Sequence, residues 1–123
     1  MPSFNEPRIA SFIAGEDLST HKNKFVKWGS DEKTVLLSTV LGAHTVGVLM
    51  NAPASGEWAE VAIFGGGAKV KVAGTVVKGA YLSNTAAALG DTALTTHQVS
   101  ARAMEAGVAN DVIAVEIMHF LHV

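Results

Sequence analysis

Cysteine is absent from the 123-residue chain, which excludes a disulfide framework, a thiol nucleophile and any zinc site built on cysteine. Charge is scarce. Only 16% of residues are Asp, Glu, Lys or Arg, and nine basic against eleven acidic side chains leave a formal charge of −2. So small a charge gives no global attraction to nucleic acid or anionic lipid, and neither is expected as a partner. Apolar runs are short, none near the roughly 18 residues of a membrane span. The opening MPSFNEPRIASF has no basic start followed by an apolar stretch, so no signal peptide is expected. Catalytic signatures are missing too: there is no G-x-S-x-G elbow, P-loop or H-E-x-x-H.

What is present is apolar and small. Hydrophobic residues make up 49% of the chain, and nineteen Ala, fifteen Val and twelve Gly far outnumber the eight Phe, Trp and Tyr. One domain with one real core is expected at this length. A surface so poor in charge fits a self-associating or partner-covered protein better than a free monomer.

Period-two patterning dominates. Ala68, Val70 and Val72 alternate with Lys69 and Lys71; Val61 and Ile63 alternate with Trp58, Glu60 and Ala62; Ile113, Val115 and Ile117 form a third such face. Shorter strand candidates are Ile9–Ala14, Phe25–Trp28, Val35–Leu37, Val46–Met50, Val76–Val77 and Tyr81–Ser83. Gly65-Gly66-Gly67 reads as a hairpin turn or bulge between two of these strands, and Leu89-Gly90-Asp91 reads as a turn. Many short strands between Gly-rich turns predict an all-β barrel or sandwich. Two stretches, Glu32–Leu41 and Ser100–Ala106, are rich in helix formers, with Ser30 or Asp31 as a possible N-cap.

An internal repeat decides the second stretch. Shifted by 54 positions, Val48–Ala52 falls on Arg102–Ala106, Gly56-Glu57 on Asn110-Asp111, Val61 on Val115 and Ile63 on Ile117. The chain is therefore expected to fold as two similar halves, with Ser100–Ala106 a strand like Val46–Met50. A further echo, Gly15–Ser19 on Gly79–Ser83, has an offset of 64 and predicts a first half ten residues longer in the middle. Residues 1–14 are expected to form an extended N-terminal arm, since Pro2 and Pro7 disfavour helix. Residues 15–123 are then the barrel-like domain.

Candidate chemistry is thin. Glu57 and Glu60 fall on opposite faces of a strand and cannot flank one bond as acid and base. His119 and His122 likewise diverge, so no metal is expected. Lys22, Lys24 and Lys27, interleaved with Phe25 and Trp28, form the sharpest charge cluster. They do not share one face with the aromatic residues, as a single-stranded nucleic-acid platform requires. A solvated strand, or a patch facing an acidic protein surface, is the expected reading.

The residues Gly15–Leu18, Gly47–Leu49, Ala54 through Gly66 and Ala68–Lys71, with Val76–Leu82 and Asp111–Ile117 following the same pattern, resemble a family of small capsid decoration (cement) proteins of tailed bacteriophages. The resemblance runs over about residues 8–118, with Ala101 and Asn110 standing where the pattern often has Gly. It implies a non-enzymatic structural virion protein on the outer surface of the capsid, made in the host cytoplasm, that stabilises the head lattice. The partners it implies are the major capsid protein and further copies of itself, a homotrimer being expected, with no cofactor or active site. Contact candidates are Phe4, Pro7, Arg8, Ile9, Phe12, Lys22, Lys24, Lys27 and Trp58. The alternative is a carbohydrate- or receptor-binding β-module of a phage particle. Against it stands the wide sequence separation of Trp28, Trp58 and Tyr81.

Overall fold

In a computed structural model, residues 8–31, 33–63, 66–94 and 97–121 are described. They contain ten strands and no helix. Strands β1 (Ile9–Ala14), β2 (Phe25–Trp28), β3 (Thr34–Leu37), β4 (Gly47–Leu49) and β5 (Trp58–Ile63) close into a barrel in the order β1-β3-β2-β4-β5. Strands β6 (Gly67–Lys71), β7 (Tyr81–Asn84), β8 (Gly90–Thr92), β9 (Gln98–Ala103) and β10 (Val112–Leu121) form a second sheet ordered β6-β10-β9-β7-β8. The sheet repeats the barrel, strand for strand.

Register proves the repeat. Leu49 pairs with Val61 and Gly47 with Ile63, while 54 positions on Ala103 pairs with Val115 and Ala101 with Ile117. The connecting turns match as well. The Ala54 amide donates to the Glu57 carboxylate at 2.7 Å, and the Val108 amide donates to Asp111 at 2.9 Å. Gly56 and Asn110 before those acids both have positive φ, 84° and 71°, a conformation open to Gly and, among other residues, most readily to Asn. So Ser100 to Ala103 is strand, as the repeat predicts, but the expected strand does not reach Ala106: β9 ends at Ala103 and the chain turns away at residues 104–106.

The rest of the duplication follows other offsets. Ile13 pairs with Trp58 as Lys71 pairs with Val112, which places β1 on β6 at a shift of 58. Val26 pairs with Gly47 as Leu82 pairs with Ala101, which places β2 on β7 at 56. The echo of Gly15–Ser19 in Gly79–Ser83 at 64 is therefore incorrect: Tyr81–Asn84 answers to Phe25–Trp28, and the first half is longer by only a few residues. The two loops share composition, whereas strand register sets the true correspondence.

Several local expectations change with the structure. Residues 9–14, expected in the arm, are strand β1, tied to β5 along Ile9–Ile13 and to β3 at Ile13 and Ala14. The expected hairpin or bulge at Gly65-Gly66-Gly67 does not join β5 to β6, because these strands do not pair; Gly65 itself lies outside the described residues. Leu89-Gly90-Asp91, read as a turn, begins strand β8. Val76–Val77 is only a bridge from Val76 to Gly107. Asp31 caps no helix: its carboxylate accepts from the Lys33 and Thr34 amides at 2.8 and 3.0 Å, turning the chain into β3. The Lys33 amide bond is the main reason its carboxyl titrates below the usual range.

The two halves differ at one seam, and that difference joins them. In the barrel, β1 and β3 meet directly, the Ile13 amide donating to the Lys33 carbonyl at 2.7 Å. In the second sheet the equivalent groups are the Lys71 amide and the Ala88 carbonyl, and they are bonded to the first half instead. Lys71 donates to the Asn23 carbonyl and Phe25 donates to the Ala88 carbonyl, both at 2.9 Å. Residues 23–25 thus stand between β6 and β8, whose remaining link is a single bridge from Val72 to Gly90. Through this opening Phe25 enters the second core, fully buried with Val70, Val72, Leu82, Ala101 and Ile113. Gly90 lies against it, with space for a Cβ in ordinary contact. A Cβ there would lie 3.4 Å from Val70, 3.5 Å from Leu82 and 3.6 Å from Phe25. Val48, on the same outer face of the barrel, is buried in that cluster too. A separate cluster of Ala14, Leu18, Val26, Val35, Leu49 and Val61 fills the barrel itself.

Candidate interaction face around β1

Exposed apolar side chains occur in both halves, Val40, Leu41, Val77, Leu94 and Val108 among them, and those around β1 of the barrel are accompanied by two hollows. Phe12 and Trp28 point to the same mouth of the barrel and meet edge to face, centroids 5.2 Å apart at 82°. Such contacts fix ring orientation beyond simple burial. A hollow of about 320 Å³ opens beside them, lined also by Ala10, Val46, Ile63 and His119. A second hollow of about 300 Å³ lies across β1, lined by Ser11, Phe12, Ile13, Lys33 and Trp58. Phe12 belongs to both. Trp58 is 67% exposed, Trp28 54% and Ile9 47%, an accessible apolar group that a solvated domain does not need.

Strand geometry explains who faces where. On β5, Ala59 and Val61 are buried in the barrel while Trp58 and Glu60 point outward. On β2, Val26 and Trp28 share the inner side, but Trp28 sits at the strand end and so rims the mouth.

The expected contact residues are only partly gathered here. Ile9, Phe12 and Trp58 lie on or beside β1, with Arg8 leading into it; its carbonyl accepts from the Ile63 amide at 2.8 Å. Phe4 and Pro7 lie outside the described residues. The lysines belong elsewhere: Lys22 is exposed and Lys27 half-buried, while the Lys24 ammonium donates to His21 Nδ1 at 3.0 Å. They form no single stripe with the aromatic residues. His21 titrates below its ordinary value, first because it is partly desolvated and then because Lys24 is cationic.

Sequence reading missed Trp28 and Lys33 as members of this face, because β1 unites residues far apart in the chain. The same folding removes the objection that Trp28 and Trp58 are distant, since each lies beside Phe12. Tyr81 stands apart, in an edge contact with Phe120 at 5.0 Å. His119, arriving from β10, covers part of the mouth; burial, and then the nearby His44, lower its pKa.

A hydrolytic pairing of Ser83 and His97 is the nearest approach to catalytic geometry, with Oγ and Nδ1 3.0 Å apart. Ser83 is buried, and His97 Nδ1 also accepts from the Leu94 amide at 3.3 Å. Two donors on Nδ1 place the ring proton on Nε2, so this nitrogen secures the loop before β9. Neither residue lines the hollows around β1 or the groove of about 410 Å³ at Lys78, Arg102, Met104 and Glu116.

No family model matches the chain, and no curated protein does. Six chains of solved structures match it. Among them is the crystal structure of the N base of head fiber gp8.5 in bacteriophage phi29, with a TM-score of 0.68 over 94% of this chain and 98% of that one, at 12% identity. The chain therefore shares, across both of its halves, the fold of that head fiber base.

Proposed function

We propose that this protein is a structural component of a bacteriophage virion that binds the outer surface of the head through the face around β1 and reinforces the shell. The observation that carries the reading is the match in fold, over nearly the whole of both chains, to the base of a phage head fiber. The resemblance of the turn and strand motifs to capsid decoration proteins supports it independently. So do the exposed rings of Trp28 and Trp58 beside half-buried Phe12, aromatic anchors of the kind that dominates protein interfaces. The role needs no enzyme and no cofactor. The partners are the major capsid protein and other copies of the chain, which we place as a homotrimer, since several weak contacts held by one clamp gain avidity.

Co-sedimentation with empty heads of the phage that encodes the chain tests this. The protein is expected to pellet with heads and to make them more resistant to heat. Trp28→Ala and Trp58→Ala are expected to weaken binding at least tenfold each while leaving the fold intact. Retention of full binding by both variants contradicts the reading of the face, and failure of the parent protein to bind contradicts the function. The gathering of Phe12, Trp28 and Trp58 around β1, from three different strands, also favours a second reading, a glycan-binding module of the particle. Calorimetric binding of host-surface glycans, lost in the same variants without any binding to heads, selects that reading instead.

A further inference from the structure

The second sheet shows that this fold accepts an extended segment at the seam beside its first strand: residues 23–25 enter between β6 and β8 and bond both sides. The barrel keeps the same seam shut only at one end. Along β1 the peptide groups alternate. Those of Arg8 and Ala14 are bonded to β5, since Arg8 accepts from Ile63 and Ala14 donates to Glu57, whereas Ile13 donates toward β3. Ile9 and Ser11 consequently turn their N–H and C=O groups to the β3 side, where β3 reaches only Ile13 and Ala14. Among the described residues no strand pairs with β1 on that side from Ile9 to Phe12. The edge lies between the two hollows, one on each face of the strand. An open edge with side-chain hollows on alternating faces is the requirement for strand addition.

We propose that residues 3–6 of one copy add as an extended strand to the Ile9–Phe12 edge of a second copy. The outer hollow selects this occupant. It offers the rings and methyls of Trp58 and Ile13 together with the single cation Lys33. Phe4 and Glu6, two positions apart, present an aromatic ring and a carboxylate on one face of an extended chain. Pro2 and Pro7 bound a run of four residues able to donate N–H groups, matching the four residues of open edge. Prolines themselves are confined to such edges. The seven residues before Arg8 span up to about 25 Å, enough to cross to a neighbour. That segment joins the barrel at Arg8, whose carbonyl accepts from the Ile63 amide at 2.8 Å. The exchange supplies the self-association on which multivalent head binding rests, yet it is measurable without heads.

Light scattering after size exclusion, at micromolar concentration and with far-UV spectra as a check of fold, tests the proposal. The full chain is expected at a multiple of 12.8 kDa, and the chain lacking residues 1–7 as a monomer with an unchanged β spectrum. Ser11→Pro removes an edge donor without removing a β1–β5 bond, and is expected to give monomer as well. Lys33→Glu should weaken association several-fold, and the double variant Glu6→Lys, Lys33→Glu should restore it. Restoration is a readout that a general loss of folding does not produce. A monomeric full chain overturns the proposal, whether its own segment or a head protein covers the edge. So does an oligomer that survives removal of residues 1–7. Loss of head binding with oligomers intact would instead count against the proposed function alone.

Discussion

Removing the Phe25 ring should uncouple the two halves. The ring is fully buried and belongs to the second core although β2 belongs to the barrel. An aromatic side chain of this kind buries about 200 Å², worth about 5 kcal/mol at about 25 cal/mol per Å². Phe→Ala substitutions in cores cost about 3–5 kcal/mol, a large part of the 5–15 kcal/mol typical of whole domains. Phe25→Ala is therefore expected to lower the urea midpoint sharply, or to split unfolding into two transitions. Its counterpart in the repeat, Tyr81, is 40% exposed, so Tyr81→Ala should cost only about 1 kcal/mol, mostly its ring contact with Phe120. Gly90 sharpens the test. In the barrel its place is taken by Val35, and Gly90→Val adds methyl groups where Val70, Leu82 and Phe25 already lie within 3.6 Å of a first Cβ. Overpacking of this sort costs about 1–3 kcal/mol. With Phe25 truncated those methyls gain space, so the double variant should lose less than the sum of the singles, by about 1 kcal/mol or more. Strict additivity, or a Phe25→Ala loss below about 1 kcal/mol, refutes the insertion of Phe25 into the second core.

Two further outcomes are expected. Asn110 holds φ at 71°; Asn110→Ala should cost about 1 kcal/mol in chemical unfolding and Asn110→Gly almost nothing, because only a Cβ without a local polar partner is strained there. The pKa values of His21 and His119 are lowered from 6.5, so the unfolded chain binds more protons than the folded one just below that pH. Stability is then complete above pH 6.5 and declines as pH falls through the lowered folded values. A thermal midpoint series from pH 8 to 5 should show this slope, reduced in His119→Gln.

Much of the fold was legible because a buried strand face must alternate. Val61 and Ile63, and later Ile113, Val115 and Ile117, identified β5 and β10, and the shift of 54 identified the hairpin partners β4 and β9. Strand β8 was hidden because Leu89-Gly90-Asp91 reads locally as a turn, and the arrival of Phe25 beside it from 65 positions away leaves no local signal. The same event hid the junction between the halves. Of the interaction face, Ile9, Phe12 and Trp58 were visible as apolar residues at strand positions. Trp28 and Lys33 join them only through the pairing of β1 with β3 and of β3 with β2, which is parallel in one case and has no local sequence signal.

Where the protein sits on the particle tests its proposed role most directly. Image reconstruction of heads assembled without the protein, then supplied with it, is expected to reveal added density on the outer surface into which the paired halves fit, with the face around β1 turned toward the shell. Heads whose outer surface is unchanged by saturating protein would contradict it.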